Sequence, residues 1–360
     1  MTTKTMSRLT RSALSAAALL GAFGASSAAA VEECATPDEM RVVCAQIAAM
    51  GATIPDCAGW SATTEGALPC ASTGVGHPRV TQDCHDFGTF EFPFAVDSAQ
   101  YRSIGSGAKY APDSDATTRS LRSVPFGHLN SPGSSGYGFS VYRRGDQASA
   151  PTGAEGVVII VDGKTAHEYW HYRGGDNADA KYTWAMNGRP EPSGSGRVGA
   201  SASGVAGLFG LARGHELNTP GTPIQHVSQI TLAKSLVKPV AVWPAAHVDG
   251  YCKRGECGGS IAYGSLLALP PSVNVDGLGL SDPGRRLAHA LQDYGAYVVD
   301  TTKGDSTNMR ADQSVAPAVV AKVNRDMAKV YPLLRVVTNN SEDQAASGGG
   351  TPRDQICGMD

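Results

Sequence analysis

Basic residues are in no excess, with 30 Lys+Arg against 33 Asp+Glu. No basic stripe is therefore available to neutralise phosphates, and a nucleic-acid partner is excluded on charge. The apolar stretch Ala13–Phe23 is shorter than the ~20 residues a bilayer-crossing helix needs, so no membrane insertion is expected. The early cysteines contain no Cys-x2-Cys pair, which argues against a zinc ribbon. The Gly-x-Ser-x-Gly elbow of α/β-hydrolases is missing. Gly194-Ser195-Gly196 and Gly136-Tyr137-Gly138 lack the strand-to-helix context of a phosphate loop. No internal repeat occurs, and nothing calls for a cofactor. Gly (43) and Pro (21) together stay below the ~25–30% of a low-complexity chain, yet the Gly count favours a turn-rich, β-heavy fold.

What is present begins with an address. Lys4, Arg8 and Arg11 precede the apolar stretch, and Ala28-Ala29-Ala30 gives a small-residue cleavage pattern. Residues 1–30 read as a secretory signal peptide without an Arg-Arg pair, so the mature protein is expected outside the cytoplasm, or in the periplasm if the source has an outer membrane. Its removal takes three basic residues and no acidic one, moving the formal charge from −3 to −6. All eight cysteines follow it, at 34, 44, 57, 70, 84, 252, 257 and 357. An even count in an oxidising compartment predicts disulfides. Cys252 and Cys257 can close a local loop. Cys34, Cys44, Cys57, Cys70 and Cys84 leave one unpaired, for which Cys357 is the natural sixth, tying the C-terminal tail back to the N-terminal module.

Residues 31–95 read as a small Cys-rich module, with a helix opening at Thr36-Pro37 and ending at Gly51. Residues 96–123 have no sustained period and read as a linker or surface loop. From 124 to 338 short β-prone runs predominate, at 137–142, 157–161, 166–172, 224–232 and 237–243, with Asp162-Gly163 as a hairpin signal. Helical periods follow from Asp282 to Tyr294 and from Pro317 to Val330, with a strand at 296–299 between them. Residues 339–360 form a tail. The expected fold is mainly β, a β-sandwich or jelly-roll-like core with two or three packed helices.

His167-Glu168-Tyr169-Trp170-His171 matches His-Glu-x-x-His. On a helix it would hold zinc through His167 and His171, with Glu168 as general base. The longer pattern expects a third His where Asn177 stands, and the turn at Asp162-Gly163-Lys164 leaves no room for a helix before His167. As a strand, the two histidines are about 13 Å apart, too far for one metal ion. Glu168, Trp170 and Tyr172 then share a face. A carboxylate flanked by aromatic rings suits a sugar-binding groove, although such a stripe can equally pack a core.

From Val157 to Val337 the chain resembles a broad group of secreted bacterial proteins without an assigned activity. The resemblance is carried by Val158-Ile159-Ile160-Val161-Asp162, Glu168-Tyr169-Trp170 and the run Gly199 to Arg213. It continues through Glu216, Ile224-Gln225-His226, Trp243-Pro244-Ala245-Ala246-His247, Gly264 to Pro270 and Ala288 to Asp300. It implies export and no particular chemistry.

Three functions follow as expectations. The first is a secreted glycan-active enzyme, a polysaccharide hydrolase or lyase acting on a polysaccharide or cell-surface glycan. Its acid and base candidates are Glu168, Asp300 and His226, and Trp170, Trp243, His247, Asp249 and Tyr294 would contact substrate. The second is a non-catalytic glycan or cell-wall binding protein using the same residues. The third is the zinc metalloprotease of His167 and His171. The sequence leaves the oligomeric state open.

Overall fold

A computed structural model describes residues 85–135, 138–150 and 156–354, which fall in one unit, Cys84–Asp360. Cys34, Cys44, Cys57, Cys70, Cys84 and Cys357, the helix expected after Thr36 and the signal peptide lie outside the described residues. The chain is mainly β, with several sheets and a few helices. None of the helices described is long and apolar enough to cross a membrane.

Twelve strands are described: β1 (Phe126–Asn130), β2 (Phe139–Arg143), β3 (Val157–Asp162), β4 (Thr165–Trp170), β5 (Ala180–Ala185), β6 (Ser228–Ala233), β7 (Val237–Ala241), β8 (Ile261–Tyr263), β9 (Leu266–Ala268), β10 (Ala296–Thr302), β11 (Thr307–Arg310) and β12 (Arg335–Val336). The larger sheet runs β1-β11-β6-β10-β9-β12, the smaller β2-β3-β4-β5, and β7 pairs with β8. An all-antiparallel jelly roll is ruled out by the parallel pairs β1–β11, β6–β10, β2–β3 and β7–β8. These parallel pairs need long crossovers, and helices supply part of them.

The longer helices are α1 (Ala116–Ser123), α2 (Asp282–Asp293) and α3 (Pro317–Val330), beside three single-turn helices of four residues each. Pro283 and Pro317 sit in the first turns, where a missing N–H costs nothing. Gly295, at φ 79°, ends α2, where its N–H reaches the Ala290 carbonyl. Leu287 and Leu291 of α2 and Val320, Val323 and Met327 of α3 share a buried cluster with Ala296 and Val298 of β10 and Ile230 and Leu232 of β6. On the opposite face of β10, Tyr297 and Val299 join a second cluster with Leu208, Phe209 and the inner side chains Val141, Ile159 and Ala166 of the smaller sheet. Both faces of β10 are covered, which explains its unbroken apolar run.

Between the sheets lies the segment 198–212. Phe209 stacks on Tyr297 with ring centroids 5.6 Å apart, and a Cβ at Gly207 would press on Ile159 and Phe139. The stretch 96–123, expected as a linker or surface loop, instead buries Ala99, Tyr101 and Ile104 and carries α1, capped by Asp115 through Thr117 N–H. Its period was hidden because its apolar residues fill a core made by distant strands. The tail is equally integrated: Gly105 donates to the Ser347 carbonyl at 2.8 Å, and Ser103 Oγ to that of Asp354.

Met327 is fully buried between α3 and the larger sheet, so Met327→Ala is expected to cost about 2–5 kcal/mol. Val240→Ala, at an exposed position, is expected to stay within ~0.5 kcal/mol. Denaturant unfolding of both variants checks the contrast.

Candidate functional site

The β3–β4 hairpin forms as its Asp-Gly signal requires, with Asp162 opposite Thr165 across Gly163-Lys164. The His-Glu-x-x-His segment is therefore strand, which removes the zinc-protease geometry. His167 lies opposite Thr183, its Nδ1 3.2 Å from Thr183 Oγ1, while His171, past the end of β4 at φ 52°, pairs with Asp179. Among the described residues no cluster of three or more His, Cys, Asp or Glu is arranged to hold a metal ion.

Glu168 and Trp170 share a face of β4 as the alternation implies, but that face is the interior one. Glu168 is 0% exposed. Its Oε1 accepts from Trp184 Nε1 at 2.8 Å and from Gly207 N–H at 2.5 Å, and its Oε2 accepts from Ala200 N–H at 2.8 Å. A Cβ at Gly199 would collide with this carboxylate, so glycine is what lets the segment approach. Burial pushes the Glu168 carboxyl up to about 7, against the downward pull of the three N–H donors and Arg197. Glu168 clamps the 199–207 segment to the smaller sheet; it does not line an open groove.

Asp300 and His226, the other acid and base candidates, are also internal, 5% and 4% exposed. Asp300 accepts from Arg310 Nη2 at 2.6 Å and from Thr301 N–H at 2.8 Å. His226 holds Glu216 Oε1 through Nε2 at 2.7 Å and the Val227 carbonyl at 2.5 Å. Burial pushes the His226 imidazole down, but the Glu216 charge and both hydrogen bonds outweigh it and leave it above the ordinary histidine value. Glu216, raised by burial, ends below its ordinary value because His226, His215 and Arg213 surround it. Arg213 in turn pairs with Asp312 at 2.6 Å. Tyr294, expected to contact substrate, is 1% exposed and donates to Asp354.

Trp170, Trp243, His247 and Asp249 keep partial exposure. Trp170 stacks on His171 with centroids 3.9 Å apart. The other three lie on one segment after β7 that opens with the cis Trp243-Pro244 peptide. Arg102 lies over the Trp243 ring, and Tyr297 meets it edge-on. His247 Nε2 donates to the Gly196 carbonyl at 2.8 Å. Asp249 Oδ2 accepts from Thr301 Oγ1 at 2.8 Å, and its Oδ1 caps Tyr251 N–H. The Cys252–Cys257 disulfide expected from spacing closes the next turn, with Cα atoms 4.7 Å apart. Thr301 thus links Asp249 at the surface to Asp300 behind it. Arg310 and Glu216, which complete these networks, each stand ten residues from their partners, and Thr301 stands 52 from Asp249, spacings that no local motif marks. Comparison with protein-family models, with curated proteins and with solved structures returns no match.

Between about pH 4.5, the ordinary carboxyl value, and about 7, the folded chain holds at Glu168 a proton that the unfolded chain has released. This site therefore contributes a fall in stability as pH rises through that window. Glu168→Gln is expected to lose that slope and to cost about 1–3 kcal/mol, since its amide N–H₂ must face a backbone N–H. Urea unfolding of both proteins across the window checks the difference; parallel pH profiles would refute it.

Proposed function

We propose that this protein is an exported glycan- or cell-wall-binding protein whose ligand contacts are Trp243, His247 and Asp249, with Trp170 as a further aromatic contact. The export signal in the sequence and the resemblance over Val157–Val337 support the location. One observation carries the choice of binding over catalysis. Glu168, Asp300 and His226 are each buried and held by internal partners, whereas four of the five residues assigned to substrate contact retain partial exposure. Binding needs stacking rings and polar groups but no acid pair. The two sheets facing each other across the 198–212 segment act as a sandwich-like scaffold that fixes the 243–249 segment at its rim.

A second reading is supported by Asp249. It is a partly exposed carboxylate two residues from the His247 imidazole and is coupled through Thr301 to Asp300. This is the part of the structure on which a hydrolase or lyase reading rests.

The full oxidised chain, tested on plant, fungal and bacterial polysaccharides, is expected to be retained on at least one polymer without releasing reducing ends or ultraviolet-absorbing unsaturated products. Trp243→Ala is expected to weaken retention by about tenfold. Product release abolished by Asp249→Asn would establish the enzymatic reading instead. A panel neither bound nor cut would end the glycan reading.

A further inference from the structure

The described chain enters and leaves its unit at one place. His85 Nε2 donates to Gln225 Oε1 at 2.7 Å, and Gln225 Nε2 donates to Asp354 Oδ2 at 3.4 Å. The first and the last described residues thus share the amide of one buried glutamine. Each end is also held by contacts of its own. The His85 ring stacks on Phe92 with centroids 3.8 Å apart. Arg353 donates its N–H to the Ile104 carbonyl at 2.9 Å and its Nη1 to that of Gln292 at 2.7 Å, and Asp354 accepts from Ser103 Oγ and from the Tyr294 hydroxyl. Cys84 directly precedes His85 and Cys357 stands three positions after Asp354, both just outside the described residues.

We infer that Cys84 and Cys357 are joined by a disulfide that fastens the entry of the β-rich unit to its exit. Two side chains and one amide keep the His85 and Asp354 Cα atoms within about 17 Å of each other. One residue step before His85 and three after Asp354 together reach about 14 Å, and a disulfide spans about 5.5 Å more between Cα atoms. The bond is therefore within reach. By number alone any of the five early cysteines could partner Cys357. Cys84 is tethered next to the fixed His85 and falls in the same unit, Cys84–Asp360, whereas Cys70 stands fourteen residues earlier. The shorter tether gives Cys84 the higher effective concentration at Cys357. Cys34, Cys44, Cys57 and Cys70 are then left to pair among themselves, so the Cys-rich module closes on its own and the tail is not bonded to it. In forming the bond, the two thiols give up two protons and two electrons and gain one Sγ–Sγ bond, while a disulfide-bearing oxidoreductase of an oxidising compartment is reduced to its dithiol. The bond is independent of what the rim binds.

Peptide mapping of the full chain, produced in an oxidising compartment, alkylated without reduction and cut with trypsin, tests the pairing. Cleavage at Arg79, Arg102 and Arg353 places Cys84 on residues 80–102 and Cys357 on residues 354–360, and cleavage at Arg41 and Arg79 bounds the peptides of the other four. Peptides 80–102 and 354–360 are expected as one species that separates on reduction. Peptide 354–360 joined to a peptide from before residue 80, or recovered alkylated, would overturn the bond. Cys84→Ser and Cys357→Ser are each expected to lower the melting temperature by about 5–10 °C, and the double variant by no more than either alone. Losses that add would also overturn it, since one bond can be broken only once. The map is made on the native chain and decides the matter even where a variant fails to fold.

Discussion

A carboxylate shut off from water has to be met by donors, and Glu168 is met by three, two of them backbone N–H groups of the 199–207 segment. That segment has little regular structure and would otherwise bury unsatisfied amides. The carboxylate gives it a fixed place between the two sheets, where Phe209 can stack on Tyr297 and Ser203 can hold the backbone of His247. Through the Ser203 carbonyl, which accepts from Ala246 and His247 N–H, this layer touches the segment that carries Trp243 and Asp249. A single side chain on β4 thus organises a surface built from other elements.

The same burial divides the charged residues into two populations. Inside, carboxylates and bases are matched one to another: Asp300 with Arg310, Glu216 with His226, Arg213 with Asp312. Such pairs contribute little net stability against an apolar alternative, but losing one partner is costly. They fix which strands and loops meet. At the rim, Asp249 and His247 are held by one or two hydrogen bonds each and remain reachable. Groups available to a ligand are those the fold does not need for itself.

Local pattern carried six of the twelve described strands and the two longest helices into view, and missed β1, β5, β11 and α1. The Asp-Gly hairpin, the period of two through Ala166–Trp170, the Pro-started helices and the apolar run of β10 all appear where physical chemistry places them in the sequence. Strands β8, β9 and β12 are two or three residues long, too short to show any period. The alternation on β4 put Glu168 and Trp170 on one face correctly, but it could not say which face looks inward. That depends on Trp184, Ala200 and Gly207, which are 16, 32 and 39 residues away. The burial of Asp300 and His226 is hidden from the sequence for the same reason, since Arg310 and Glu216 become their partners only after folding.

The larger sheet is assembled from widely separated pieces of chain. Phe126 of β1 lies beside Thr307 of β11, and Ser228 of β6 beside Ala296 of β10. At the far edge β12 comes from residues 335–336, and the arm around Ile104 is fastened by Ser347. No early part of the chain can close this sheet alone, because each parallel pairing awaits a partner made much later. Loop-closure entropy then has to be spent before the contacts that repay it exist, a topology that folds slowly. Until residues 296–310 are available, β1 and β6 have none of the strands they pair with in this sheet, and their edges stay exposed. The chain is in that sense finished from its end, and the safety of its β-prone runs during synthesis depends on being kept apart until the last of them arrives.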